Sequence, residues 1–317
     1  MTIFIHSIQG VIIIIVMIAI GYILSWRKWF DENSSRLIAK LVTQIALPAY
    51  MISTITHDFT AKKLLSTLPD LRFPVLSMLI LFALAAVLYR VMQIKEQHRG
   101  LFESMFLNSN TVFIGLPVNM ALFGNRSLPY VLVYYMANTT IFWTLGVWLI
   151  QRDGTTSEKF NLKTTLGKIF SPPLLGFIVG VLLVIFHIQL PQFVLTDCQY
   201  IGGLTIPLSM FFIGIAIQRA GIQNVTIDRD SLGVLSGRFI FAPVLMTLLV
   251  LPMPVPVLMK QVFILQSAMP VMTNAPVVAK LYHADEKYAA IMVTETTLLS
   301  LAVIPLLMLF VKSGLIT

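Results

Sequence analysis

Long apolar runs alternate with short polar segments along the whole chain. Each run is long enough to cross a hydrocarbon core of about 30 Å as a helix. Continuous runs of this length favour helices, because a membrane β-barrel needs shorter segments of alternating polarity. We therefore predict an all-α integral membrane protein. The ten predicted spans are 3–25, 37–55, 73–89, 101–123, 128–150, 169–190, 194–217, 231–251, 262–281 and 288–311.

Composition excludes a soluble fold. Of the 317 residues, 57% are hydrophobic and 11% are charged. In soluble domains roughly a quarter of all residues are charged. The net charge of +8 does not indicate a nucleic-acid partner, because the basic residues lie in short loops between apolar runs. The sequence has one cysteine, Cys198, and contains none of the common catalytic or metal-binding motifs. We expect no catalytic residue, no metal and no cofactor, and therefore not an enzyme.

The distribution of lysine and arginine predicts the orientation of the chain. Loops after spans 1, 3, 5, 7 and 9 carry fifteen of these residues, and the other side carries six. Cytoplasmic loops are enriched in positive charge. We therefore expect a multi-pass protein of the cytoplasmic membrane with both termini outside.

An internal repeat divides the chain into two halves. Five spans per half is an odd number, so the second half must enter the membrane with the opposite orientation. The predicted organisation is a first repeat over 1–150, a cytoplasmic linker over 151–168 and an inverted second repeat over 169–317. A single offset of 159 residues pairs Gly21 with Gly180, Pro48 with Pro207, Met51 with Met210, and Pro117 with Pro276.

Spans 4 and 9 combine proline with amide and hydroxyl side chains deep in an apolar run. Proline removes a helical hydrogen bond and releases nearby backbone groups, which then need partners. Two broken helices at equivalent repeat positions favour a shared binding site, with half-helix N-termini directed at an anion. The alternative is that the prolines only kink the helices and the polar side chains join neighbouring helices. The candidate substrate-binding residues are Asn108, Asn110, Thr111, Pro117, Gln266, Thr273, Asn274 and Pro276.

Two ionisable residues lie inside apolar runs, where a charge costs about 2.5 kcal/mol or more. Arg238 either extends toward the cytoplasmic interface or attracts a carboxylate substrate. Glu295 either joins neighbouring helices or exchanges a proton during transport, because desolvation disfavours its charged form. Sodium coupling is an open alternative, since amide, hydroxyl and released carbonyl oxygens also suit that ion.

Several stretches resemble the auxin efflux carrier family. Residues 110–117, Asn-Thr-Val-Phe-Ile-Gly-Leu-Pro, are similar to its Asn-Thr-x-x-x-Gly-Ile-Pro motif, and 203–218, 238–243 and 276–282 resemble its seventh, eighth and ninth spans. The resemblance implies ten helices in two inverted five-helix repeats with crossed, broken helices 4 and 9, as in bile-acid symporters and sodium–proton antiporters. It also implies stationary scaffold helices 1, 2, 6 and 7 and mobile transport helices 3–5 and 8–10 in an elevator mechanism.

The resemblance also bears on the substrate. The long cytoplasmic loop of the plant carriers is absent here, and Thr273-Asn274 stand where those carriers have Gly-Ile. The compact form is similar to bacterial members regarded as malate or malonate permeases. We therefore expect a secondary transporter of small organic anions, in particular of a dicarboxylate such as malate, with an anion channel or a substrate-binding receptor domain as the alternative. Besides the anion, the expected partners are membrane lipids and, through the scaffold helices, a second copy of the chain.

Overall fold

The computed structural model describes residues 2–60, 62, 66–154, 170–220 and 228–312, and this part of the chain is nearly all helical. The helices are α1 (Thr2–Trp26), α2 (Glu32–Leu41), α3 (Leu47–Asp58), α4 (Arg72–Val91), α5 (Arg99–Leu107), α6 (Leu116–Phe123), α7 (Leu128–Ile141), α8 (Val147–Asp153), α9 (Pro172–Ile185), α10 (Gln192–Gly203), α11 (Thr205–Ala220), α12 (Arg229–Ser236), α13 (Ala242–Val250), α14 (Val257–Ser267), α15 (Ala275–Leu281) and α16 (Glu286–Lys312).

Apolar helices match most of the predicted spans. Within the described residues, five helices are long and apolar enough to cross a membrane: Asn33–Asp58, Leu68–Val91, Gln192–Arg219, Arg229–Val250 and Glu286–Met308. They coincide with predicted spans 2, 3, 7, 8 and 10. Shorter apolar helices, Ile12–Trp26, Pro172–Ile185 and Val257–Ser267, overlap spans 1, 6 and 9. A nearly all-helical fold with several apolar helices is thus confirmed for the described residues, while the count of ten and the inverted repeat stay predictions.

Three prolines follow a wide, π-helical turn at the same distance. The turns Val42–Ala46, Thr111–Gly115 and Gly237–Phe241 each end two residues before Pro48, Pro117 or Pro243. Proline has no N–H, so the carbonyl four residues earlier loses its usual helical partner. A helix accommodates that loss by widening locally. These prolines therefore reshape helices without ending them.

By contact, the chain divides into two compact units. The first unit comprises Met1–Pro69, Leu116–Pro129 and Leu166–Arg219, and the second comprises Asp70–Gly115, Tyr130–Thr165 and Ala220–Thr317. The boundary between Gly115 and Leu116 falls inside predicted span 4. The units therefore cut across the two sequence repeats, whose own boundaries stay a prediction.

Glycines allow close helix crossings in the first unit. A methyl group on Gly21 of α1 would lie 2.6 Å from the carbonyl oxygen of Phe211 in α11. Gly214 of α11 meets the main chain of Ile18 and Tyr22 in the same way. Small residues let membrane helices approach until their backbones touch. Glycine at these positions is thus required by the α1–α11 contact.

The second unit contains an ion-pair group around a deeply buried carboxylate. Glu103 in α5 is 1% exposed and binds Arg99 at 3.1 Å and Arg152 at 2.8 Å. The neighbouring Asp153 accepts hydrogen bonds from the main-chain N–H groups of Gly100 and Leu101, at 2.8 Å each. It thereby satisfies donors at the start of α5 that have no helical partner. These contacts fix α5, the helix that leads into the candidate site, against α8.

Candidate functional site

Span 4 is interrupted after α5. The helix ends at Leu107, Asn108 is extended (φ −100°, ψ 136°), and helical structure resumes at Thr111. We call residues 108–110 the first interruption. It consists of the polar run Asn-Ser-Asn and precedes Pro117, which is the second residue of α6. The predicted break in span 4 is confirmed, but its predicted cause is wrong, because Pro117 widens the following turn instead.

Span 9 is also interrupted. Helix α14 ends at Ser267 and α15 begins at Ala275, so residues 268–274 form the second interruption. Pro270 lies inside it, and Pro276 occupies the first turn of α15, where a missing N–H costs nothing. Here proline does bound the break, as predicted.

The two interruptions contact each other within the second unit. Ser109 and Val271 pair as an isolated antiparallel β-bridge. The N–H of Asn110 donates to the carbonyl of Pro270 at 2.8 Å, and the Ser109 hydroxyl donates to the carbonyl of Gln266 at 3.1 Å. Backbone groups released by one break are therefore partly satisfied by the other.

Two side chains that the sequence analysis missed support the interruptions. Asn138 of α7 accepts from the N–H of Ser109 and donates to its carbonyl, both at 2.9 Å. Thr296 of α16 accepts from the N–H of Val271 at 3.1 Å. Both stand among other polar residues in apolar spans, Ala-Asn-Thr-Thr at 137–140 and Thr-Glu-Thr-Thr at 294–297. These clusters of polar residues within apolar spans were the signal by which both residues could have been found in the sequence.

Arg238 is completely buried and bonded to main chain. Its Nε donates to the carbonyl of Met269 at 3.1 Å, one terminal nitrogen donates to Phe106 at 3.0 Å, and the other donates to Ser267. The side chain is 0% exposed, so extension toward the cytoplasmic interface, one of the two sequence-based interpretations, is wrong. Its predicted role as a substrate ligand stays untested.

Amide groups beside the interruptions keep atoms without partners. Among the described residues, Asn108 Oδ1, Asn110 Nδ2 and both amide atoms of Gln266 are buried and make no hydrogen bond. The Gln266 amide lies against Gly115, where a Cβ atom would collide with it. Buried polar atoms cost free energy unless they find a partner. These donors and acceptors are therefore available to a polar ligand.

The other predicted site residues occupy different surroundings. Thr111 is 2% exposed and starts the turn after the first interruption. Thr273 and Asn274 lie in the half-exposed turn before α15, next to Pro276. Pro117 belongs to the first unit, so it is not grouped with the others. The structure brings together Asn110 and Gln266 through the main-chain contacts of the two interruptions.

Glu295 is 4% exposed in α16. The next residue, Thr296, contacts the second interruption, which brings the α16 main chain close to the site. Its predicted coupling role stays untested. No group of three or more His, Cys, Asp or Glu side chains suited to a metal is present in the described part of the chain.

A second cluster of ionisable side chains connects three segments of the second unit that lie near loops. His98 stacks on the ring of Tyr288 at 4.0 Å, and its nitrogens lie 2.7 Å from Asp230 and 3.0 Å from Asp285. The ring can donate to both carboxylates only when both nitrogens carry hydrogens. Partial burial raises the pKa of Asp285, but hydrogen bonds from the N–H of Tyr288 and from His98 outweigh it, so the pKa lies below its usual value.

The lowered pKa of Asp285 predicts an acid-dependent loss of stability. The native state holds the charged carboxylate more tightly than the unfolded chain does, so its contribution is present above about pH 4 and is lost as pH falls through the native pKa. We expect Asp285→Asn to lower the unfolding temperature at pH 6 and to flatten its decline between pH 5 and 3. Thermal unfolding of the purified protein measures this. Glu96→Gln, at an exposed carboxylate in the turn before α5, is the control, and an equal flattening there would contradict the assignment.

Comparison with known proteins agrees with the fold. A family profile described as "Membrane transport protein" matches residues 6–308. An uncharacterized transporter of Methanocaldococcus jannaschii is 26% identical over 309 residues, covering 93% of this chain and 96% of the relative. An uncharacterized transporter of Methanothermobacter thermautotrophicus is 25% identical over 317 residues, covering 96% and 98%. The similarity spans both interruptions and almost the whole chain.

Proposed function

We propose that this chain, which belongs to the membrane transport protein family of the auxin efflux carriers, is a secondary transporter of small organic anions. The family and the relatives are membrane transporters, which confirms the expectation of a multi-pass transporter and not an enzyme. Malate is the first candidate substrate.

The observation that carries this proposal is the contact between two helix interruptions lined by unsatisfied amides. Non-helical backbone at membrane depth is tolerated where it is buried in protein or lines a cavity. The Asn110 and Gln266 amides offer N–H donors, and Asn108 and Gln266 offer acceptors. Such a set suits a carboxylate together with a hydroxyl group, the functional groups of a hydroxycarboxylate.

Departures from the plant carriers support a small substrate. Thr273 and Asn274 lie in the turn before α15 and replace the apolar Gly-Ile pair of the plant carriers. Their hydroxyl and amide groups add polar contacts where an aromatic auxin would meet apolar ones. A compact dicarboxylate satisfies more of these groups than auxin does.

The proposed mechanism is elevator-type alternating access, in which one group of helices is stationary and another carries the substrate. The composition of the two compact units supports this division. The first unit contains spans 1, 2, 6 and 7, and the second contains spans 3, 5, 8, 9 and 10 with the first half of span 4. An inverted repeat, termini outside the cell, location in the cytoplasmic membrane and dimerisation through the scaffold helices belong to the same proposal.

Uptake into vesicles tests the function. Purified protein is reconstituted into lipid vesicles, and entry of labelled malate is compared with entry into protein-free vesicles, followed by a panel of mono- and dicarboxylates. We expect saturable uptake that is accelerated by unlabelled substrate inside, because a carrier exchanges solutes. Flux without such acceleration would indicate a channel, and binding without flux a receptor. No uptake of any carboxylate would contradict the proposal.

We further propose that Glu295 exchanges a proton during transport, with sodium coupling as the alternative. Glu295 is 4% exposed in an apolar helix, next to Thr296. Glu295→Gln is expected to abolish the pH dependence of uptake while leaving substrate binding intact, because glutamine mimics the protonated acid. Uptake is measured from pH 5 to 8 with and without sodium. An unchanged pH profile in the variant would exclude this role, and strict dependence on sodium would favour the alternative.

A further inference from the structure

We propose that Arg238 is a positioning residue, which holds the C-terminal ends of α5 and α14 together so that the two interruptions stay aligned. The expected effect of this role on transport rests on the proposed function, whereas the expected effect of Arg238 on the interruptions does not. This role differs from the sequence-based expectation that Arg238 binds the substrate, because the guanidinium is already occupied by main chain.

The contacts of Arg238 link both half-helices. Phe106 is the penultimate residue of α5, Ser267 is the last residue of α14, and Met269 lies in the second interruption. All three guanidinium nitrogens donate to these carbonyls. The last carbonyls of a helix have no partner within the helix. One side chain therefore satisfies acceptors from two helix ends that are far apart in sequence.

The positive charge of Arg238 is also nearly neutralised by the helix ends that it contacts. A helix C-terminus carries roughly half a negative elementary charge, so two of them together match one guanidinium. A buried charge requires such compensation. The three acceptors of the guanidinium are main-chain carbonyls and not carboxylates. The positive charge is thus compensated by helix ends and is not left for a substrate.

The local structure of span 8 directs Arg238 to this position. The residue lies in the π-helical turn Gly237–Phe241, just before Pro243. A Cβ atom on Gly237 would collide with the ring of Phe106, so glycine allows the turn to approach the end of α5. The planar fork of arginine then reaches several carbonyls at once, which a lysine ammonium on its flexible stem does not reproduce.

Amide hydrogen exchange of the full-length protein in nanodiscs, without substrate, tests this role. The reporters are three N–H groups of the interruptions: that of Asn110, which donates to the carbonyl of Pro270 in the other interruption, and those of Ser109 and Val271, which donate to side chains of α7 and α16. We expect Arg238→Gln and Arg238→Lys to speed exchange at both interruptions by about tenfold or more, because hydrogen-bonded amides exchange through local opening. Exchange that stays unchanged at both sites in both variants would overturn the proposal.

A matched control separates this effect from the loss of any buried cation. Lys260 is 6% exposed and donates to the carbonyl of Leu251 at the end of α13. We expect Lys260→Met to speed exchange near that helix end and to leave both interruptions protected. An equal response of the interruptions to Lys260→Met would show general loosening, and would overturn the specific role of Arg238.

A glycine pair provides a second test should the arginine variants fail to fold. Gly237→Ala pushes against Phe106, whose carbonyl accepts from Arg238, and should speed exchange at the first interruption. Gly233→Ala, one turn earlier, pushes against the ring of Phe102 and should not. Equal exchange at the first interruption in both variants would count against the proposal.

Transport kinetics distinguish a positioning residue from a ligand. For positioning, Arg238→Lys should be as impaired as Arg238→Gln, with the maximal rate at least about tenfold lower and the half-saturating concentration within about threefold, because geometry and not charge is lost. A lysine variant that keeps wild-type rates, while glutamine raises the half-saturating concentration, would identify a substrate ligand and overturn the proposal. If the wild type transports nothing, the proposed function fails while the exchange measurement still decides the role of Arg238.

Discussion

Replacing Asn138 with leucine is expected to destabilise the second unit and to abolish transport. The amide of Asn138 forms two hydrogen bonds with the main chain of Ser109, and it is 0% exposed. Leucine has a similar volume but leaves the buried N–H of Ser109 unsatisfied, while the Ser109 carbonyl keeps the N–H of Thr111 at 3.0 Å. The unsatisfied N–H costs about 1–3 kcal/mol and the lost hydrogen bond to the carbonyl about 1 kcal/mol, so we expect a loss of roughly 2–4 kcal/mol in the free energy of unfolding.

Thr139→Val is the matched control for this prediction. Thr139 is the next residue of α7, is also buried, and its hydroxyl makes no hydrogen bond with the described residues. Removing that hydroxyl should leave stability unchanged or slightly raised, with uptake retained. Thermal unfolding and vesicle uptake measure both variants. If Asn138→Leu unfolds at the wild-type temperature, Asn138 does not support the first interruption.

Gln266→Leu is expected to separate stability from function. Both amide atoms of Gln266 are buried without a hydrogen-bond partner in the described part of the chain, so the native protein already bears the cost of desolvating them. Leucine removes that cost and should raise the free energy of unfolding by about 1–3 kcal/mol. The same change removes a donor and an acceptor from the proposed site, so we expect uptake to fall by at least about tenfold. Functional sites commonly retain such destabilising groups.

Gln261→Leu should give the opposite result. Gln261 lies in the same helix, α14, and its amide donates to the carbonyl of Val311 at 3.2 Å. Its loss should lower stability modestly and leave uptake intact, because this amide supports packing between α14 and α16. Should Gln266→Leu transport at the wild-type rate, the Gln266 amide would have no part in substrate binding.

The sequence predicted the helical membrane class and the positions of both interruptions. The unusual character of spans 4 and 9 could be recognised because amides and prolines are rare in apolar runs. This signal is visible in a short stretch of sequence. The attribution of the first break to Pro117 was wrong, since the effect of proline on a helix reaches only about one turn back. The break at Asn108 lies further upstream of Pro117, and its main-chain groups bond to side chains from other helices.

Those partners lie beyond what a single sequence discloses. Asn138, Thr296 and Arg238 satisfy the interruptions from three different helices, and only the tertiary fold brings them to residues 109, 269 and 271. Burial of Arg238 and its extension toward the interface are equally compatible with its position in span 8. Contacts between a side chain and a distant main chain leave no periodic pattern in the sequence, so the support of the site had to come from the structure.

Substrate protection of cysteines placed in both interrupted spans tests most directly whether these spans form one anion site. In a Cys198→Ser background, which removes the single native thiol, cysteine is introduced at one of two half-buried positions: Val112, just after the first interruption, or Thr273, within the second. The rate of thiol modification is measured against malate and related carboxylates. We expect one carboxylate to slow modification at both positions with the same half-protecting concentration. Protection at neither position, or at one alone, would contradict a shared anion site.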